Sequence, residues 1–438
     1  MFYMLLILTP AITNRLRYIA DLLIVDMLGV NVKLTISVDE YTGYPGSKVI
    51  YASEPIASGL FIESSALLFE EKIVLQETKA SKYDDVPVLF SSANPMAALP
   101  FDIFAASFYL VSRYEEYLPH QRDRYGRFPC TESIAWKEGF LNVPIIHTWA
   151  VMFGELLLRN FPWLIFRFRE YKYIPTIDID HAYCYRCRTL TRTMGGLGRD
   201  AMHGHIGNII LRIKVLSGTG KDPYDTYAFI SQIHKDFMQN PLYFVLFADD
   251  GQDDNNVTVT AESFHLLLRE LDRYQRVGIH PSLSSNKQYS RLEAEYTSLS
   301  RVLNRKVTIS RQHFLRLTMP KTYQSLIQLG ITDDYSMGYA SYPGFRAGIA
   351  IPFYFFDLTS NKTTHLLIHP VSLMDVTLKD YLRLSPEESL ETIRMMIDKI
   401  KSIHGEFVSL WHNESLGNTG RWKGWRWVYE EMVKLASN

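Results

Sequence analysis

The chain has 438 residues, 47% of them hydrophobic and 21% charged, which predicts an ordinary globular protein of two or three domains with a large core. Its 46 basic and 47 acidic residues give a net charge of −1, and this balance argues against a nucleic-acid or anionic-membrane partner. Three cysteines, no run of eighteen apolar residues, and an apolar N-terminus without a basic leader or cleavage site predict a cytoplasmic protein without disulfides or a membrane span.

Residues 1–170 predict one N-terminal domain of mixed α/β character. Strand-like runs occur at 31–38, 48–53 and 86–90. Helical spacing of apolar residues occurs at 102–118, with Asp102 as the expected N-cap, and again at 143–158. This part of the chain shows no convincing catalytic cluster, and its sequence does not indicate a role.

Residues 171–438 predict a second domain in which strands and helices alternate. The strand-like runs are 173–178, 242–248, 277–280, 306–310, 331–337, 365–369 and 407–412, and helical runs are 261–275, 288–304, 320–329, 386–403 and 424–436. Such alternation is typical of an α/β protein with a parallel sheet, and six or seven units predict a (β/α) barrel or a distorted one. Residues 185–240 break the rhythm and predict an insertion between the first two strands.

Ionisable side chains follow most of these predicted strands. In chain order they are Asp178 and Asp180, Asp249 and Asp250, His280, Arg311 and His313, Asp333 and Asp334, and His412. In barrel enzymes the carboxyl ends of the strands build the active site. Any single acidic residue after a strand is equally often a turn or capping residue, so the prediction depends on the whole set.

The stretch IPTIDIDHAY (174–183) carries two acids on one predicted strand. Alternation along a strand places Asp178 and Asp180 on the same face, and burying either carboxylate without a partner is costly. Carboxylates together with imidazoles indicate a divalent metal, with zinc as the first candidate. A cation would stabilise the crowded pair and would acidify a water beside it.

The order of these motifs resembles the polysaccharide deacetylase (NodB-homology) family of metal-dependent carbohydrate esterases. The resemblance is carried by TIDID (176–180), GIHPSLSS (278–285), SRQHFL (310–315) or alternatively GFRAG (344–348), and SLWHN (409–413). It covers roughly residues 170–438 and implies a distorted (β/α)7-type barrel. The N-terminal domain resembles an uncharacterised domain that accompanies deacetylase-like domains in bacterial proteins.

The resemblance also implies roles for individual residues. Asp178 would be the general base, Arg311 would orient it, and His412 would be the acid that protonates the leaving amine. Asp180 and His280 would be metal ligands. The family's second metal histidine falls at Ser284, and a neutral hydroxyl is a poor ligand.

Two histidines could replace that missing ligand. His313 is expected on the same strand face as Arg311, and His369 ends another strand; we take His313 as the third ligand. The substrate-binding candidates are Asp249, Asp334, Arg346 and Asn413.

The function that the resemblance implies is a hydrolase of non-peptide carbon–nitrogen bonds that removes acetyl groups from an amino-sugar-containing polysaccharide or glycan precursor. The main alternative is a non-catalytic sugar-binding or scaffold protein with a degraded metal site. A glycosidase that uses paired carboxylates such as Asp178 and Asp249 is a third hypothesis, and it requires a separation of about 5–10 Å. The sequence predicts a carbohydrate substrate and does not indicate a protein partner.

Overall fold

The structure is a computed structural model that describes residues 4–248, 256–274 and 276–438. Its secondary structure forms a four-stranded sheet early in the chain, a two-stranded ribbon, and an eight-stranded sheet later. We use "N-terminal region" for residues 1–170 and "barrel region" for residues 171–438. That division into two domains stays a prediction.

The N-terminal region contains a fully parallel sheet flanked by helices. Its elements are β1 Met4–Leu8, α1 Asn14–Ala20, β2 Asn31–Thr35, α2 Val38–Gly43, β3 Ser47–Ala52, β4 Leu60–Glu63, β5 Ser81–Tyr83, β6 Val86–Val88, α3 Ile103–Val111, α4 Ile134–Lys137 and α5 Ile145–Asn160. The sheet order is β2-β1-β3-β4. The sequence did not predict β1, because a strand covered on both faces is a continuous apolar run without alternation.

The helix predicted at 102–118 begins as expected and ends early. The Asp102 carboxylate accepts hydrogen bonds from the backbone N–H groups of Phe104 (3.1 Å) and Ala105 (3.0 Å), as an N-cap does. The α-helix ends at Val111, and Arg113 adopts a left-handed φ of 55°. A short 3₁₀ turn, Tyr114–Tyr117, follows.

The barrel region alternates strands with helices over most of its length. Its elements are β7 Lys172–Ile179, α6 Leu190–Met202, α7 Ile206–Leu216, α8 Tyr227–Asp236, β8 Leu242–Val245, α9 Glu262–Leu271, β9 Val277–Ile279, α10 Tyr289–Leu303, β10 Ile309–Ser310, α11 Lys321–Leu329, β11 Asp333–Met337, β12 Phe353–Asp357, β13 Lys362–Met374, α12 Pro386–Ser402, β14 Glu406–His412 and α13 Arg426–Ser437. Three helices, α6 to α8, occupy the stretch predicted as an insertion.

Seven of these strands close a parallel barrel. The order is β11-β10-β9-β8-β7-β14-β13, and β13 pairs back with β11. Strand β12 is antiparallel and pairs with β13. The predicted α/β fold, a distorted (β/α)7-type barrel preceded by a mixed α/β region, is therefore confirmed. All seven barrel strands run the same way, so their carboxyl ends meet at one rim.

The two regions share one hydrophobic core. The ring of Phe356, from β12, lies 5.1 Å from the rings of both Tyr18 and Phe108 in the N-terminal region. Buried Arg346, from the barrel region, pairs with Glu116 at 2.7 Å.

Within the described ranges, no helix has the length and apolar character needed to span a bilayer. A cytoplasmic location stays a prediction.

A buried histidine joins three strands of the barrel at the end opposite the rim described above. In β13, His369 Nδ1 lies 2.6 Å from Glu406 Oε1, and its Nε2 lies 3.1 Å from Asp333 Oδ1. Burial alone would lower the pKa of His369, but the hydrogen bonds to Asp333 and Glu406 outweigh burial and raise that pKa to about 9. The raised pKa means that His369 stabilises the fold fully below its ordinary pKa of about 6.5 and loses this effect as pH rises through about 9.

We therefore expect His369→Gln to lower the free energy of unfolding by about 3 kcal/mol at pH 6, because the variant leaves the buried Glu406 carboxylate without its nearest cation. The difference from the unmodified protein should shrink between pH 7 and pH 10. Urea unfolding followed by tryptophan fluorescence at both ends of this range measures it. An equal loss at both pH values would contradict the charged state assigned to His369.

Candidate active site

A cavity of about 430 Å³ opens at the carboxyl ends of the barrel strands. Its wall includes five residues that the sequence singled out: Asp178, Asp180, His280, His313 and His412. They follow or end β7, β9, β10 and β14, so the parallel barrel brings them to one rim although they are spread over more than 230 residues of sequence. The structure therefore gathers the main predicted residues around one cavity.

Asp180, His280 and His313 form the one group of three described residues whose ligand atoms all lie within 4.8 Å of one another. His280 Nε2 lies 3.2 Å from Asp180 Oδ1, and His313 Nε2 lies 3.5 Å from Asp180 Oδ2. Two ligands that each lie about 2.0–2.1 Å from a tetrahedral ion are about 3.4 Å apart. The spacing of these atoms suits a small divalent cation.

Hydrogen bonding around His280 supports the same interpretation. His280 Nδ1 lies 2.6 Å from the carbonyl oxygen of Arg311, so Nδ1–H is the donor and Nε2 is the ring nitrogen that faces Asp180. Asp180 Oδ1 is buried without a hydrogen-bond partner. A carboxylate oxygen and a ring nitrogen 3.2 Å apart require a proton or a cation between them. One carboxylate and two imidazoles with an open fourth position are the ligand set of a catalytic zinc site.

The local sequence explains how these ligands come so close. Gly278 lies two residues before His280, and a Cβ there would meet Ile309 Cγ1 at 2.7 Å and Phe244 Cδ1 at 2.8 Å. Only glycine lets β9 pack this tightly against its neighbours. Burial would raise the pKa of Asp180, but the imidazoles of His313 and His280 outweigh it and hold that pKa well below its usual range.

Asp178 lies beside this group and is held by a buried arginine. Arg311 Nη1 donates to Asp178 Oδ1 at 2.8 Å and to Thr176 Oγ1 at 2.6 Å. Arg311 Nε donates to the carbonyl oxygen of Tyr335 at 2.8 Å, which fixes the plane of the guanidinium. Asp178 Oδ2 lies 3.7 Å from His280 Nε2. The arrangement leaves one carboxylate oxygen facing the candidate metal ligands.

His412 is oriented by Asp375, a residue that the sequence did not single out. His412 Nδ1 lies 2.8 Å from Asp375 Oδ1, and its Nε2 faces Asp180 Oδ2 at 3.6 Å. Asp375 also accepts hydrogen bonds from the backbone N–H of His412 and from Ser415 Oγ. Burial would lower the pKa of His412, but Asp375 and then Asp180 outweigh it and raise that pKa to about 10.

Two predicted substrate-binding residues lie away from the cavity. Asp334 is fully buried, and its Oδ2 accepts from Ser310 Oγ (2.8 Å) and Ser336 Oγ (2.9 Å). Arg346 is buried at the contact between the two regions, where it pairs with Glu116. Both side chains already have their polar partners, so the geometry does not support the predicted contact with substrate.

The other two substrate-binding predictions have different outcomes. Asn413 is buried, and its Nδ2 donates to the carbonyl oxygens of His181 and Tyr224 at 3.0 Å each. It therefore ties two loops together beside the site and does not line the cavity. Asp249 lies outside the described residues, so the Asp178–Asp249 separation on which the glycosidase hypothesis depends is not part of the described structure.

The contacts of Ser284, His313 and His369 bear on which residue could supply the third metal ligand. Ser284 Oγ lies 2.9 Å from Ser282 Oγ, and Ser284 is not among the residues that line the cavity. His313 belongs to the ligand group, although it lies in a turn, His313–Leu315, and not on the strand face that the sequence suggested. His369 is held between carboxylates elsewhere in the barrel.

Comparison with known proteins gives one family match early in the chain. A family of unknown function, DUF7033, matches residues 5–162. No curated protein matches the chain. The family match covers the N-terminal region alone and assigns no activity to it.

Three solved structures are similar to a larger part of the chain. They are a putative polysaccharide deacetylase from Mycobacterium smegmatis (15% identity, TM-score 0.41, 61% of this chain and 84% of that one), Puue allantoinase (9%, 0.38, 61% and 84%) and a probable polysaccharide deacetylase from Pseudomonas aeruginosa PAO1 (10%, 0.38, 60% and 84%). Two of these names are those of the family that the sequence motifs resemble. The fold described above is established by the strand pairing of this chain itself.

The ligand group predicts which histidine holds a metal. We expect His313→Ala to lower zinc affinity by about 100-fold or more, because loss of an outer-shell partner alone costs 10–100-fold. Ser284→Ala, at the position that the family resemblance favours, is the matched control and should bind zinc as the unmodified protein does. Competition titration with a chromophoric chelator measures both. A loss in Ser284→Ala with none in His313→Ala would reverse the assignment.

Proposed function

We propose that the protein is a metal-dependent hydrolase that removes acetyl groups from an amino-sugar-containing polysaccharide or glycan precursor. The observation that carries this proposal is the convergence on one cavity of three groups: the ligand set Asp180–His280–His313, the Asp178–Arg311 pair and the His412–Asp375 pair. A ligand set, a positioned base and a positioned acid are the parts that metal-assisted amide hydrolysis requires.

Asp178 is the proposed general base. When bound, a divalent ion polarises the acyl carbonyl and makes a nearby water acidic. Asp178 Oδ2 lies on the side of the carboxylate that faces His280, so it can accept the proton of a water at the ligand group. Arg311 holds Oδ1 at 2.8 Å and keeps the carboxylate in this orientation.

His412 is the proposed general acid. Its Nδ1–H donates to Asp375, and this bond turns Nε2 toward the cavity. A proton on Nε2 is then available for the nitrogen that leaves when the acyl carbon–nitrogen bond breaks. The two proton-transfer groups approach the ligand group from β7 and β14, which are neighbours in the sheet.

The cavity suits a sugar substituent. Its volume of about 430 Å³ falls within the range of small-molecule sites, about 300–1,000 Å³. Tyr125, Phe314 and Tyr381 supply aromatic surface to its wall, on which the apolar face of a sugar ring can pack. The scaffold alternative depended chiefly on Ser284 as a lost ligand, and His313 in the ligand group offers a replacement, which favours the hydrolase.

The first test is acetate release from acetylated amino-sugar oligomers by zinc-loaded protein. We expect activity in the unmodified protein and a loss of about 10²–10⁴-fold in kcat for Asp178→Asn, since the variant keeps the shape but cannot accept a proton. Zinc affinity, measured on the same preparations, should change far less. Zinc-loaded protein that releases no acetate from any such oligomer would overturn the proposed reaction.

A second test separates the acid from the base. Asp375→Asn should lower kcat on acetamides by about 10²-fold, because the imidazole of His412 loses the carboxylate that orients it. On an activated acetate ester, whose leaving group needs no proton, the loss should be about tenfold or less. Equal losses on both substrates would contradict the role of His412 in protonating the leaving group.

A further inference from the structure

His313 differs from the other members of the candidate site in the backbone that carries it. Asp178 and His412 lie within strands, and His280 directly follows one. His313 lies in a short turn whose next two residues, Phe314 and Leu315, have φ values of 58° and 51°. Left-handed backbone at a non-glycine residue costs about 1–2 kcal/mol and persists only where the surroundings hold it. Something outside the turn must therefore keep it in place.

Residues 122–127, from the N-terminal region, supply that support, and we call this segment the arm. Arg127 Nη1 donates to the carbonyl oxygen of Phe314 at 3.1 Å. The ring of Tyr125 stacks on the ring of Phe314, with centroids 4.8 Å apart and planes 17° apart. Arg122 Nη1 reaches Thr318 Oγ1, just past the turn, at 3.3 Å. Polar and apolar contacts thus hold the residue that follows His313.

The arm is itself a preformed structure. The Asp123 carboxylate accepts from the backbone N–H groups of Tyr125 and Arg127 at 2.9 Å each, and from Arg127 Nε at 2.6 Å. The remaining guanidinium nitrogen of Arg127, Nη2, donates to Tyr381 Oη at 3.2 Å. Arg127 is buried, and its three guanidinium nitrogens, Nε, Nη1 and Nη2, each donate a hydrogen bond. An arm that is held by these hydrogen bonds can impose a conformation on the turn that it touches.

We propose that the arm positions His313, so that the N-terminal region completes the metal centre of the barrel. The arm also lines the cavity through Arg124, Tyr125 and Arg127. This inference depends on the metal centre of the proposed function and not on the acyl substrate. The inference assigns a role to the N-terminal region, residues 5–162 of which match the family of unknown function: its arm positions His313, a candidate metal ligand that lies on a turn of the barrel region.

The test compares two arm variants with a matched control in the full chain. Arg127→Gln removes the hydrogen bond to Phe314, and Tyr125→Leu removes the ring stacking. Arg159→Gln is the matched control, because it changes an exposed arginine of α5 that does not line the cavity and whose hydrogen bond is to the carbonyl oxygen of Glu155 in its own helix. Each is measured in three ways: zinc affinity by competition titration, the visible absorption spectrum of the cobalt-substituted protein, and urea unfolding without metal.

We expect Arg127→Gln and Tyr125→Leu to lower zinc affinity about 10-fold or more, the effect of a lost outer-shell partner, and to alter the cobalt spectrum. Arg159→Gln should leave both unchanged. Folded arm variants with unaltered affinity and spectrum would overturn the inference. If Arg127→Gln does not fold, Tyr125→Leu alone decides. Unmodified protein that binds zinc but releases no acetate would count against the proposed reaction alone, whereas protein that binds no metal would overturn both.

Discussion

Closure of the parallel barrel is the constraint on which the rest of this structure depends. Because β13 pairs with β11, seven strands point their carboxyl ends at one rim. The residues proposed for catalysis come from strands that are neighbours in the barrel: Arg311 follows β10, His280 follows β9, and His412 ends β14 beside β7. Sheet order, and not sequence order, places acid, base and ligands next to one another.

Charge pairing divides the buried acids of the site into two kinds. Asp178 has Arg311, and Asp375 has the ring and backbone of His412 as well as Ser415, so each carboxylate is stabilised by its neighbours. Asp180 is different, because its Oδ1 has no hydrogen-bond partner and lies opposite an imidazole nitrogen. Asp180 Oδ1 is therefore the carboxylate oxygen that the proposed cation would neutralise.

Sequence periodicity was enough for the barrel and for most of the rim, since alternation and strand ends depend on local pattern. Sequence periodicity failed for Asp375, because β13 was predicted to end at His369, before Pro370. A proline inside a strand usually indicates its end, but this strand continues to Met374. Arg346 faces Glu116, which lies 230 residues before it in the chain, and the arm lies about 190 residues before the turn that it holds. No local pattern encodes those contacts.

The ion cluster where the two regions meet has an evolutionary consequence. Arg113 and Arg346 share the Glu116 carboxylate, and Arg113 also pairs with Glu115, all of them buried. A substitution on one side leaves a buried charge on the other side without its partner, so we expect these positions to change together in evolution. A chimera that joins this barrel region to the N-terminal region of another protein would contain unpaired buried charges unless it kept the residues of both sides of the cluster.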